Sequence, residues 1–170
     1  MQVAKTENQK NSKMRVYISG KIGEEVISET TRQKFARAAK MLETHGGQKN
    51  TVIDPASEYI QMCIETHYSM KGQKPWYDET LLYMLHWLQT CTHVYMLADW
   101  KNSPGATAEY WYAVAANRSI YFENERDARA HARRWFWAHA NEYINDHRPF
   151  DIVLNEFENE AIKKIWLPIE

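Results

Sequence analysis

The sequence predicts a small α/β domain with a doubly wound, mostly parallel sheet. Three observations predict it: four short β-branched or aromatic runs, helical apolar spacing between them, and turn residues at the junctions. Strands alternating with helices at this spacing call for parallel pairing through right-handed crossovers.

The first run, residues 14–19, stops at Gly20 and reads as a buried strand followed by a turn. Thr30 and Gln33 form a capping box ahead of Phe35, Ala38, Ala39 and Leu42, and Gly46 and Gly47 stop that helix. Thr51, Val52, Ile53 and Asp54 make a second short strand, ended by Pro55 because proline cannot continue a ladder. Residues 56–78, with Gly72 and Pro75, lack a clean period and predict a loop carrying one short helix over 59–65. Insertions of that kind often lie over a site.

Leu81, Leu85 and Leu88 mark a further amphipathic helix that leads into a third buried strand over 93–97, with Asp99 and Trp100 just past its end. Ser103 then offers an N-cap with Pro104 at the first helical position, and Tyr110, Ala113, Val114 and Asn117 form the buried stripe of that helix. Residues 119–122 are the fourth strand. A long helix is expected over 124–146, carrying Trp135, Phe136 and Tyr143, followed by an edge strand at 152–154 and a last helix. Short strands of this kind suit a flavodoxin-like or Rossmann-like sheet. The expected organisation is a polar leader (1–13), an α/β domain (14–122) and a mainly helical C-terminal extension (123–170) packed on the same domain or on a subunit partner.

The chain has 170 residues, 44% hydrophobic and 25% charged, with a formal net charge of -1. A chain of this length buries roughly 70% of its unfolded surface, which excludes disordered and collagen-like classes and needs no disulfide staples. No stretch reaches the ~18 apolar residues of a membrane span, and the leader lacks the apolar core of a signal peptide, so a cytoplasmic protein is expected. Cys63 and Cys91 belong to no CxxC pair and read as free thiols. The near-neutral charge argues against general nucleic-acid binding and for a small ligand. Cys63 and His67 make at most half a zinc site, with no second pair at suitable spacing, so no metal and no cofactor are expected.

The aromatic share of 13%, with seven Trp and ten Tyr, reads as core or subunit interface. Trp135, Phe136 and Trp137 cannot all face one core, which points to a homo-oligomer. Arg126, Arg129 and Arg133 recur on one helix face, beside Arg134, as a solvated face or one that meets a phosphate or acidic partner. Nothing marks His131 or His139 as a base.

Ligands of open α/β sheets bind outside the carboxyl ends of the strands, and two such ends have unusual composition here. In the first, Ser19, Gly20, Lys21, Ile22 and Gly23 let backbone approach a ligand and place an ammonium near an anion, or form a plain turn; a Walker loop is absent. In the second, the Ser103 cap leaves helix N–H groups facing the crevice. Glu109 lies about one and a half turns into that helix, leaning over the small residues Gly105 and Ala106. A carboxylate beside such a wall has access, restricted rotamers and a raised pKa; the alternative is an ordinary surface glutamate.

The order of Val16-Tyr17-Ile18-Ser19-Gly20, Leu85-His86-Trp87-Leu88 and Ser103-x-Gly105-x-x-x-Glu109 resembles the nucleoside 2-deoxyribosyltransferase-like superfamily, over residues 14–122. That superfamily includes deoxynucleoside monophosphate N-glycosidases and uncharacterised, often phage-associated members. The resemblance implies a glutamate nucleophile that attacks C1' of a nucleoside or nucleotide, giving a glycosyl-enzyme ester that a base or water resolves, as in retaining glycosidases. By the same resemblance Glu109 is the nucleophile, Tyr17 its neighbour, Ser19, Gly20 and Lys21 the ligand-facing loop, Ser103 and Gly105 the sugar- or phosphate-binding turn, and Asp99 an acid after the third strand. One departure stands out: the aspartate usual on the preceding helix is Met84 here, and Asp78 and Glu79 are more than one turn away. Three readings follow. The first is N-glycosidic bond chemistry on a nucleoside or nucleotide, the second a nucleotide sensor or sequestering module without efficient turnover, and the third an interaction domain acting through the C-terminal helix.

Overall fold

Both sets of alternating strand residues are apolar, so the sheet must be covered on two faces. The computed structural model describes residues 13–70, 72 and 77–170. The leader over 1–12, Pro75 and the side chain of Asp78 lie outside the described residues. Strands β1 (Arg15–Ser19), β2 (Thr51–Ile53), β3 (His93–Met96) and β4 (Ser119–Phe122) form an all-parallel sheet in the order β2-β1-β3-β4. Tyr17 is paired with Ile53 on one side and Val94 on the other.

Tyr17, Ile53, Val94, Met96, Ile120 and Phe122 point to one face, where α2 (Glu58–Ser69), α3 (Tyr77–Gln89) and α4 (Pro104–Ala115) cover them. Val16, Ile18, Tyr95 and Leu97 point to the other and pack on Phe35, Ala38 and Leu42 of α1 (Glu29–Glu43). This is a doubly wound α/β fold. The C-terminal helices α5 (Glu125–Ala138) and α6 (Phe150–Ile165) pair with each other beside β4. After α6 the chain reaches the sheet: Leu167 N–H donates to the Phe122 carbonyl at 2.8 Å, and the Tyr95 hydroxyl donates to the Leu167 carbonyl at 2.6 Å.

Several local expectations are corrected. The cap of α1 is Ser28, whose hydroxyl accepts from Thr31 N–H, and Glu24 accepts from Ser28 and Thr31 in turn. Thr30 therefore lies inside the first turn, and Gln33 donates to Glu29 at i,i+4 instead of closing a capping box. Where a short helix over 59–65 was expected, α2 runs from Glu58 to Ser69, because Ser57 caps it and Ile60, Ile64 and Tyr68 bury one stripe.

The long helix ends at Ala138, not 146. His139 caps it, with its ring stacked on Trp135 at 3.9 Å, and a 3-10 turn follows over Ala140–Tyr143. Residues 152–154 are helical rather than an edge strand. Val153 and Phe157 recur at i,i+4 and face α5, where Phe157 lies 5.4 Å from the buried Phe136 ring. A short apolar run has no period of its own that separates strand from helix.

The arginine row of α5 finds its acidic partner inside the chain. Glu158 of α6 is buried, and it pairs with Arg129 at 3.1 Å and Arg133 at 2.5 Å. Of the three consecutive aromatics, Phe136 is buried and Trp137 is 58% exposed.

Candidate active site

The winding of the sheet reverses between β1 and β3, which opens a crevice outside the carboxyl ends of those strands. Tyr17 and Ser19 enter it from the same face of β1. Glu109 enters from α4, which Ser103 starts by accepting from Ala106 N–H at 3.2 Å, with Pro104 in the first turn. Gly105 and Ala106 are buried in its first turn. The turn is built so that one acidic side chain is carried against the sheet.

Glu109 is only 8% exposed, so it is no surface glutamate. Burial pushes its pKa up to about 8, and the hydroxyls of Tyr17 and Ser19 pull in the opposite direction by favouring the carboxylate. The Tyr17 hydroxyl lies beside this carboxyl, and its own pKa is raised well above the ordinary value by burial first and by the Glu109 charge second. Ser19 Oγ and Glu109 Oε2 are both buried without a hydrogen-bond partner of good geometry. Buried oxygens in that state are rare in folded proteins and are found where a ligand or reacting group supplies the missing contact. Chemically, the group is a carboxyl held neutral near pH 7, with an unpartnered oxygen and the Tyr17 phenol beside it.

The remaining predicted residues are distributed around this centre. Gly20 carries the chain past β3: a Cβ there would lie 2.6 Å from Leu97 Cδ1, so the position requires a residue without a side chain. Lys21 has an exposed side chain, and its backbone N–H donates to Asp99 Oδ1 at 3.0 Å. Asp99 Oδ2 takes Lys34 Nζ at 2.6 Å, and that ammonium also donates to the Lys21 carbonyl at 2.7 Å. Asp99 is thereby committed to clamping the β1–α1 loop onto the β3–α4 loop, and the structure does not bring it onto Glu109. Ser103 is half-buried and occupied as a cap.

Met84 lies in the apolar cluster that also contains Tyr17 and Leu88, so the usual acid position of the resembled family is core here. One acid was missed. Asp54, at the end of β2, acts electrostatically on Tyr17, and its pKa is raised, chiefly by burial, against the N–H groups of Ala56 and Ser57. The sequence carries the signal, since Asp54 stands just past a strand's carboxyl end as Asp99 does, although the Asp54-Pro55 pair by itself reads as a strand stop. Among the described residues no three His, Cys, Asp or Glu side chains converge as a metal site.

Comparison with known families adds one match. The model of the family described as a domain of unknown function, DUF4406, matches residues 14–122, and the chain belongs to that family. The matched span contains every strand of the sheet, with Tyr17 and Glu109. No curated protein and no solved structure matches the chain.

Proposed function

We propose that this member of the DUF4406 family breaks or transfers the N-glycosidic bond of a (deoxy)nucleoside or nucleoside 5'-monophosphate, as a nucleoside deoxyribosyltransferase or a nucleotide N-glycosidase, with Glu109 as nucleophile. The observation that carries the reading is a buried carboxyl with an unpartnered oxygen, beside Tyr17, at the switch point of the sheet. The motif resemblance to the nucleoside 2-deoxyribosyltransferase-like superfamily supports it.

In this chemistry a Glu109 carboxylate oxygen bonds C1' as the C1'–N bond breaks, and the electron pair and a proton go to the departing base. Water or a second base then attacks C1' and releases the carboxylate. Tyr17 steadies the charge on the carboxylate, and Asp54, half-buried with a raised pKa, is the acid best suited to the base in place of Met84. Ser19 and the Gly105 turn line the sugar side, and Lys21 with the α4 N-terminus suits a 5'-phosphate. Because the free carboxyl titrates near 8, base release should climb as the pH rises toward that value. The reading extends to a homodimer or larger assembly in the cytoplasm, supported by exposed Tyr59, Met62 and Leu82 on α2 and α3 and by Trp137 on α5.

The burial of Met84 favours a second reading, a nucleotide sensor or sequestering module that binds without turnover. One experiment separates the two. A panel of nucleosides and nucleotides is incubated with wild type and with Glu109→Gln, and released base is followed by chromatography. Under the enzyme reading wild type releases base, the variant loses orders of magnitude in rate, and a slow 2-fluoro-2-deoxy substrate leaves a sugar adduct on Glu109. Binding by wild type with no release from any compound decides for the sensor.

A further inference from the structure

A cavity lies at the end of the sheet opposite the carboxyl ends of the strands. It measures roughly 460 Å3 and lies where α4 turns into β4 and where α5 and α6 pass the start of that strand. Val114, Ile120 and Ile165 supply apolar wall, while Arg118, His131 and Lys164 supply nitrogen; among the described residues no Asp or Glu lines it. The volume falls within the ~300–1,000 Å3 of small-ligand sites.

The fold places these donors individually. Asn117 adopts left-handed backbone with φ 53°, closing the α4–β4 turn, and Arg118 N–H donates to the Ala113 carbonyl at 2.9 Å. Arg118 Nη2 donates to the Gln89 carbonyl at 3.1 Å, which fixes the guanidinium, yet its Nε is buried with no acceptor. A buried guanidinium N–H in that state points to an absent acceptor. Lys164 makes no ion pair among the described residues, and the acid one turn before it, Glu160, is engaged by Lys163 at 2.7 Å. Arg134 can only donate to the Tyr110 hydroxyl, so that hydroxyl gives its own hydrogen to His131 Nδ1 at 2.8 Å. The ring hydrogen of His131 is then on Nε2. Burial, and the Arg134 charge after it, keep this imidazole neutral, with its pKa lowered to about 4.

We propose that this cavity binds a phosphorylated small molecule, a phosphate monoester whose oxygens accept from Arg118, Lys164 and His131 and whose organic part lies against Val114, Ile120 and Ile165. Two cations with no carboxylate among them match a dianion better than a carboxylate ligand, and a monoester carries a charge of about -1.5 to -2 near neutral pH. The site lies at the far end of α4 from Ser103 and does not depend on the chemistry proposed for the crevice.

The test is calorimetric titration of phenyl phosphate into the full chain at fixed ionic strength, with benzoate as the monoanionic control. Saturable binding of phenyl phosphate is expected, at least tenfold tighter than benzoate. Arg118→Gln and Lys164→Gln should each weaken it tenfold or more, and Arg37→Gln, an exposed charge on α1 removed as a control, should bind as wild type does. Lys164 is exposed, so its variant remains readable even where Arg118→Gln does not fold. Absent saturation, unchanged affinity in Lys164→Gln, or equal affinity for benzoate would overturn the proposal. So would an equal loss in Arg37→Gln, which would reduce the effect to net charge.

Discussion

Two side chains make stability depend on pH in opposite directions. Glu109 holds its proton to about pH 8 when folded but ordinarily to 4.5. Its contribution is therefore full below pH 4.5 and declines as the pH rises from there through 8, since the unfolded chain ionises first. Glu109→Gln should match wild type near pH 4 and exceed it by a few kcal/mol at pH 9. A thermal melt series of both proteins across that range checks this, and a constant difference in Tm would show that burial is not what holds the carboxyl neutral. His131 has the reverse sign. Its pKa falls from 6.5 to about 4 on folding, so its contribution is full above 6.5 and is lost as the pH falls toward 4. Replacing it with Gln should remove that part of the acid sensitivity, read as a smaller drop in Tm between pH 7 and pH 5. The place of Glu109 in a helix capped by Ser103 was legible in the sequence. The roles of Asp99 and Asp54 were not, because both stand just past a strand and only side-chain partners across 78 and 37 residues of chain separate a clamp from an acid beside the phenol.

Helix starts in this protein rest on one repeated device. Ser28, Ser57, Ser103 and Asn124 each accept, through the side chain, the N–H three residues on. Ser57→Ala should cost about 1 kcal/mol and loosen the first turn of α2, seen as faster amide exchange at Ile60. Ser103 was readable because Pro104 and a buried stripe followed it. Ser57 was not, since Glu58, Tyr59, Gln61 and Met62 around it mix polar and apolar positions, and the stripe of Ile60, Ile64 and Tyr68 appears only against β2 and β1. Between α5 and α6 the Glu158 carboxylate answers two arginines that themselves reach water. Glu158→Gln should therefore cost about 1–2 kcal/mol, less than breaking a fully buried pair, because both guanidinium groups can rehydrate. Urea melts with an unchanged m-value would show that the loss is local to this pair and not a change in cooperativity.

At the scale of the whole molecule, the assembly prediction is direct: light scattering at micromolar concentration should give a multiple of the 20.1 kDa chain, and a value near 20.1 kDa would exclude a stable oligomer. The alternation of four runs with helices made the parallel sheet legible. The strand order was not, because side-chain pattern says which face a residue takes and leaves open which strand lies beside it. The tail after α6 has a further consequence. β4 is the last strand in the order, and an outermost strand leaves a row of backbone groups that can template pairing with another chain. Phe122 is bridged there to Trp166, its carbonyl taken by Leu167 N–H, while Leu167 and Ile169 sit on the α1 side of the sheet. Residues 166–169 thus work as a guard against runaway strand addition. Cutting the chain after Ile165 should leave most of the core intact and still produce thioflavin-positive aggregates on mild heating, a hazard that the final few residues keep silent.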